Sequence, residues 1–157
     1  MAKQSEPRSY YAPTGGHPPQ TQLTTDRAVF TEAYAVIPKG VMRDIVTSHL
    51  PFWTGIRLWV LSRPLSGFAE TFSQYIMEVQ PGGGSDKPET DASAEGVLFV
   101  VEGEMTLILN GQQHLMKEGG YAFIPPSSDW QLHNNSGAVV RFHWIRKAYQ
   151  KVDGLDA

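Results

Sequence analysis

The side chains best suited to chemistry in this sequence are two histidines and a glutamine near its C-terminal end: Gln131, His133 and His143. Gln131 and His133 are two residues apart in the alternating run Trp130–His133, and His143 stands between Phe142 and Trp144. On a strand, residues two apart share a face. Gln131 and His133 can therefore line one small polar pocket, and His143 can join it from a neighbouring strand. Imidazole and amide groups so placed can hydrogen-bond a small polar metabolite. The competing reading is a half-buried structural histidine with an ordinary hydrogen bond. A second cluster is acidic: Asp86, Glu89, Asp91, Glu95, Glu102 and Glu104, against Lys87 alone. Carboxylate oxygens suit calcium, magnesium or manganese. Their spacing fits no loop motif, so a solvent-facing acidic edge is expected. His17, His49 and His114 have no evident partners in the sequence.

Several chemistries are excluded by composition. The chain of 157 residues has no cysteine, which rules out disulfides, thiolate nucleophiles and iron–sulfur clusters. The formal charge is −3, and no basic stripe marks a nucleic-acid face. There is no Gly-x-Ser-x-Gly elbow and no His-Glu-x-x-His pair. Gly82-Gly83-Gly84-Ser85 lacks the Gly-Lys-Ser/Thr ending of a phosphate loop and reads as a turn. Asn134-Asn135-Ser136 matches a glycosylation sequon, but no secretory signal precedes it. No apolar run reaches membrane-spanning length. A cytoplasmic protein without membrane or nucleic-acid partners is expected.

The elements that would hold these residues are strands. Residues 1–27 are polar and rich in Pro and Gly and read as an irregular arm. Strand-like runs follow at Ala28–Ile37, Met42–Val46, Arg57–Ser62, Thr71–Val79, Val97–Val101, Met105–Leu109, Gln113–Met116, Tyr121–Ile124, Trp130–His133 and Val139–Ile145. Pro81-Gly82-Gly83-Gly84 is expected to break the chain after the fourth run. Asn110-Gly111 signals a two-residue hairpin. Breakers recur about every 8–12 residues, the rhythm of a sandwich or barrel. One β domain over residues 28–149 is expected, with a tail at residues 150–157. Phe52, Trp53 and Trp59 are aromatic enough to mark either a subunit contact or core packing.

The turn residues resemble those of the cupins, a superfamily of small jelly-roll β-barrels. The first cupin motif begins with Pro-Gly and continues through His-x-His and Glu to a Gly. Here Pro81-Gly82 and Gly103 bracket it. The second motif is Gly, five residues, Pro-x-Gly, two residues, His, three residues, Asn. Counted from Gly120 it falls on Pro126, Ser128, Gln131 and Asn135. These Gly and Pro positions report on turns. The ligand positions are altered: Gly96 stands in place of the Glu, Thr90 and Ala92 (or Glu89 and Asp91) in place of the histidines, and Gln131 in place of the second-motif histidine.

A narrower resemblance runs from about Tyr10 to Leu155. Phe52-Trp53, Arg63-Pro64-Leu65-Ser66-Gly67, Glu95–Gly103 and Gly119-Gly120-Tyr121 look like the first half of (S)-ureidoglycine aminohydrolase, a two-cupin enzyme of allantoin catabolism often called glyoxylate-induced protein. In that family the second cupin binds manganese through Glu, His, His and Gln and releases ammonia from ureidoglycine. Carried over, those positions are Thr90, Ala92, Gly96 and Gln131, and Gln131 alone agrees. The resemblance thus implies an isolated, non-catalytic N-terminal half with no metal of its own and no aminohydrolase activity, which packs on a second cupin and forms homo-oligomers. Two other readings stay open: a metal-free binding or sensor module lined by Gln131, His133 and His143, and a metalloenzyme using Glu89, Asp91, Gln131 and His133.

Overall fold

Strand β5 (Ser73–Ser85) organises the barrel. The computed structural model describes residues 29–30, 34–37, 46–62 and 72–155; the expected arm, the whole of 38–45 with all but the last residue of the expected Met42–Val46 run, and the Arg63–Gly67 segment lie outside them. Chain order gives β1 (Val29–Phe30), β2 (Ala35–Val36), β3 (Val46–Thr47), β4 (Thr54–Ser62) and β5, then β6 (Ala94–Glu102) and β7 (Met105–Leu109). The remainder are β8 (Gln112–Met116), β9 (Tyr121–Ile124), β10 (Trp130–His133) and β11 (Val140–Ala148). No helix occurs among the described residues. The main sheet runs β8-β7-β10-β5-β11-β6-β9, with β4 on β5 and β3 on β4. All these pairings are antiparallel.

The first part of β5 pairs with β11 over Ser73–Val79, and its end pairs with β10 at Gly84 and Ser85. One strand thus joins two halves, and the sheet curls until their inner faces meet. The interior is filled by alternate residues of both halves, including Met77, Val79, Leu98, Val100, Met105, Leu107, Leu132, Val140 and Phe142. β8 and β9 end the series without pairing, so the barrel is nearly closed, with one side open between them.

Two expectations need correction. Pro81-Gly82-Gly83-Gly84 does not end a strand; β5 passes through it. The glycines are needed there because backbones crowd together. A Cβ on Gly84 would fall 2.2 Å from the Leu132 carbonyl oxygen and 2.9 Å from His133 Nδ1, at φ +144. Glycine alone tolerates both the approach and the dihedral. Ala28–Ile37 is not one strand either: β1 and β2 are separate strands that pair with each other antiparallel, Val29 with Val36 and Phe30 with Ala35. The Asn110-Gly111 hairpin forms as expected, with φ +49 and +81, the pair of left-handed residues that a type I′ turn requires.

Candidate functional site

The end of the barrel where the cupin motifs would gather metal ligands is built from aromatic rings and one ion pair. The inward row of β11 runs Phe142, Trp144, Arg146, a period-two alternation with Phe142 and Trp144 buried. Trp144 lies at the centre. Its ring centroid is 5.8 Å from Trp53, 5.5 Å from Tyr75 and 5.8 Å from Trp130, the last two edge-on. Such tilted and edge-to-face pairs add about 0.5–1.5 kcal/mol each beyond burial. Trp53 Nε1 donates to the Pro88 carbonyl at 3.1 Å, which ties the loop after β5 to the cluster.

Arg146 closes the row. Its Nε and Nη2 donate to the two Glu89 carboxylate oxygens, each at 2.6 Å, a fork that holds the loop down. Burial alone would depress the Arg146 pKa. The hydrogen bonds and charge of Glu89, with the Tyr75 hydroxyl, outweigh burial and hold it above its usual value. The Glu89 side chain is only 11% exposed, so the acidic loop is not wholly solvent-facing as expected: its middle carboxylate turns inward because a guanidinium waits there. Asp91 is exposed, and its Oδ1 accepts from the Ser93 hydroxyl and amide; those bonds lower its pKa. Between Tyr75, Pro88, Glu89, Thr90, Trp144 and Arg146 a cavity of about 80 Å³ remains.

The second motif sits one residue earlier than counting from Gly120 places it. Gly119 has φ +80 and Ser127 has φ +61, the left-handed turns that the motif's first Gly and its Pro-x-Gly glycine supply. The motif's Asn is then Asn134, not Asn135. Asn134 is fully buried. Its Nδ2 donates to the Val79 and Ala138 carbonyls at 2.8 and 2.7 Å, and its Oδ1 accepts from the Ser136 amide and hydroxyl. An amide so engaged is no glycan acceptor, and Asn135 is exposed. The corrected register puts Trp130, not Gln131, at the histidine position. Trp130 is buried in the ring cluster, whereas Gln131 lies on the opposite face of β10. The single ligand agreement expected for Gln131 is therefore lost.

Gln131, His133 and His143 do not share a pocket. Gln131 and His133 alternate with the core residues Trp130 and Leu132, so they face away from the core. His133 Nε2 reaches Asp86 Oδ1 at 2.9 Å, an ordinary half-exposed contact. His143 is on the other half of the barrel, between Ile76 and Phe99. None of the three lines the mouth cavity or the cleft of about 400 Å³ between β8 and β9. Thr90 and Ala92 are exposed on the loop. His49 and His114 are exposed, and His114 borders the β8–β9 cleft. Of the aromatic trio, Trp53 is core, Phe52 is exposed and stacks under Lys87 Nζ at 5.3 Å, and Trp59 lies on the outer face of β4.

A metal does not fit these residues. Among the described residues, no three His, Asp or Glu side chains converge as ligands. At the Glu position, a Cβ on Gly96 would already meet Trp144 Nε1 at 3.3 Å. Directly across the ladder from Gly96 is Arg146, whose guanidinium already engages both carboxylate oxygens of Glu89, so the nearby carboxylate is not free to ligate a metal.

Known proteins place this geometry. Residues 75–146 match the cupin domain family. (S)-ureidoglycine aminohydrolase of Escherichia coli (strain K12) is 25% identical over 134 residues, covering 84% of this chain and 49% of that protein. The crystal structure of a glyoxylate-induced protein from Pseudomonas aeruginosa is 69% identical with TM-score 0.75, covering 96% of this chain and 54% of that one. The structure of protein Ylba from E. coli, 22% identical with TM-score 0.71, shares the fold over 88% of this chain and 55% of its own. The chain spans about half the length of these relatives.

Proposed function

Because this chain carries a cupin domain related to (S)-ureidoglycine aminohydrolase and to a glyoxylate-induced protein, we propose that it acts as the N-terminal, non-catalytic cupin half of such a bicupin in allantoin and purine catabolism. The observation that carries this reading is the filled mouth. Gly96 and Trp130 occupy two ligand positions, and Trp144 and the Glu89–Arg146 pair fill the space ligands would need. In this reading a second cupin holds manganese and releases ammonia from ureidoglycine, and the present barrel supports it without touching the substrate. A cytoplasmic setting agrees with a chain that has no cysteine. No helix among the described residues is long and apolar enough to cross a membrane.

The test is turnover. Purified chain with manganese and ureidoglycine should release ammonia no faster than buffer, and adding the second half of the Pseudomonas aeruginosa relative should not require Gln131 or His133 of this chain. Ammonia release by the chain alone, abolished in Gln131→Ala, would overturn the reading.

One observation favours a second reading, a metal-free module for a small polar ligand. The mouth cavity of about 80 Å³ is bordered by Tyr75, Glu89, Thr90 and Arg146. It admits only a few heavy atoms, since ordinary ligand pockets run from about 300 to 1,000 Å³. The residues that would define such a module are thus the ion pair and Tyr75, and not Gln131, His133 and His143.

A further inference from the structure

Glu89 reaches the barrel mouth from the loop between β5 and β6, not from a strand. Its carboxylate occupies a site built for that group. Arg146 Nε and Nη2 donate to Oε2 and Oε1 at 2.6 Å, and the Asp91 amide donates to Oε1 at 3.0 Å. A guanidinium offers two parallel N–H groups in one plane, the geometry that matches a carboxylate or phosphate. The Arg146 side chain is 26% exposed, so the fork lies at the edge of solvent and is not sealed beneath the barrel.

The surroundings narrow the class of group that fits there. Beside the pair, the cavity of about 80 Å³ has apolar walls at Leu50, Pro51, Pro88 and Trp144. A phosphate would press its remaining oxygens against those walls without donors. A short alkyl chain would not. Among the described residues lining the cavity, Arg146 is the one cation, which suits one negative charge and not two. The loop itself is lightly held. Asp86 meets His133 with its own side chain 83% exposed, and Lys87 lies over the exposed Phe52 ring; contacts of this kind contribute little. The buried tie is the Trp53 indole on the Pro88 carbonyl.

We propose that the mouth is a receptor for a short-chain monocarboxylate and that Glu89 is its built-in competitor. Such a receptor presupposes that the barrel is a metal-free module for a small polar ligand, and it gives that ligand a class. The arriving carboxylate takes both N–H groups of Arg146, its chain fills the cavity, and Glu89 swings into water with its loop. The charge at the mouth is the same before and after, because one carboxylate replaces another. A neutral ligand would leave the guanidinium half-buried and unpaired. A tethered competitor acts at an effective concentration on the order of millimolar, so the site answers to abundant acid and not to traces.

The test is titration of the full chain with sodium acetate, read by the indole N–H signals in proton–nitrogen NMR and matched against sodium chloride. The wild-type chain is expected to bind acetate saturably at millimolar concentration, with the Trp53 indole signal shifting as Pro88 moves. Glu89→Ala removes the competitor and should bind acetate at least about 10-fold more tightly. Acetate should also raise the melting temperature of Glu89→Ala more than that of wild type. Arg146→Lys keeps the charge but loses the fork, and should lose the binding; circular dichroism checks its fold. Should that variant not fold, acetamide, with the shape of acetate and no charge, makes the same distinction. Acetamide binding as well as acetate, or Arg146→Lys binding acetate undiminished, overturns the carboxylate receptor and leaves the metal-free module standing. No saturable binding of either compound to wild type or Glu89→Ala, or an equal response to chloride, overturns both. Acetate binding to Glu89→Ala but not to wild type makes Glu89 a fixed plug and overturns its role as competitor.

Discussion

At the scale of single residues, the two that decide the chemistry are Trp130 and Gly96. Both stand where a cupin offers metal ligands, and both instead serve packing: Trp130 against Trp144, Gly96 by leaving room for the Trp144 indole. Restoring one ligand should therefore fail. Trp130→His is expected to lose about 3 kcal/mol of stability through the lost ring contacts and the cavity left behind. It should gain no manganese affinity, as read by denaturation and by metal content after dialysis. Asn134 is a third decisive residue, for the fold and not for the chemistry. It joins β5, through Val79, to the turn at Ser136–Ala138. Asn134→Ala strands several buried polar groups at about 1–3 kcal/mol each, and a loss near 3 kcal/mol in urea unfolding is expected; Asn135→Ala should cost under about 1 kcal/mol, because Asn135 is exposed. The sequence alone could not separate these neighbours. Gly119-Gly120, Pro125-Pro126, Ser127-Ser128 and Asn134-Asn135 are doubled, so the motif fits in two registers, and only the left-handed φ of Ser127 and the burial of Asn134 choose between them.

At the scale of elements, the hairpins were legible and the long-range pairings were not. Asn110-Gly111 dictates its turn locally, and the runs Met105–Leu109, Tyr121–Ile124 and Trp130–His133 keep their bounds because their breakers lie on both sides. Pro81–Gly84 misleads because its glycines answer to a strand distant in sequence: Leu132 and His133 press on Gly84. At an unstrained glycine site an alanine would stabilise slightly; Gly84→Ala, which meets backbone at 2.2 Å, should instead destabilise by well over about 1 kcal/mol in thermal unfolding, whereas Gly82→Ala, with open space around its Cβ but φ +80, should cost only the backbone strain, about 1 kcal/mol. The loop carrying Glu89 is a similar case. Its acidity reads as solvation until Arg146, 57 residues later, is brought opposite. Glu89→Gln leaves a half-buried guanidinium with a weaker acceptor. Breaking such a pair costs about 3 kcal/mol, and the loop tethered by Trp53 and Pro88 should become the first segment to exchange its amide hydrogens. The Asp91–Ser93 bonds add a smaller, pH-linked element. The Asp91 pKa is lowered from 3.8 on folding, so their contribution is complete above that value and is lost as pH falls through the lower folded pKa.

At the scale of the molecule, the barrel is filled to its mouth by rings and an ion pair. The jelly-roll class was readable from the rhythm of breakers and the cupin turn residues. Which side chains face inward was readable in part: Ser73, Tyr75, Met77 and Val79 take the common face that their alternation implies. The role of Gln131 was not, because a one-residue shift in register exchanges the two faces of a strand. The claim on which the account turns is that this barrel holds no metal because its ligand space is occupied. Manganese content of the purified chain, expressed with manganese and then dialysed, tests it most directly. The account predicts far less than one manganese per chain; near-stoichiometric manganese that survives dialysis would contradict it and require ligands other than those at Gly96 and Trp130.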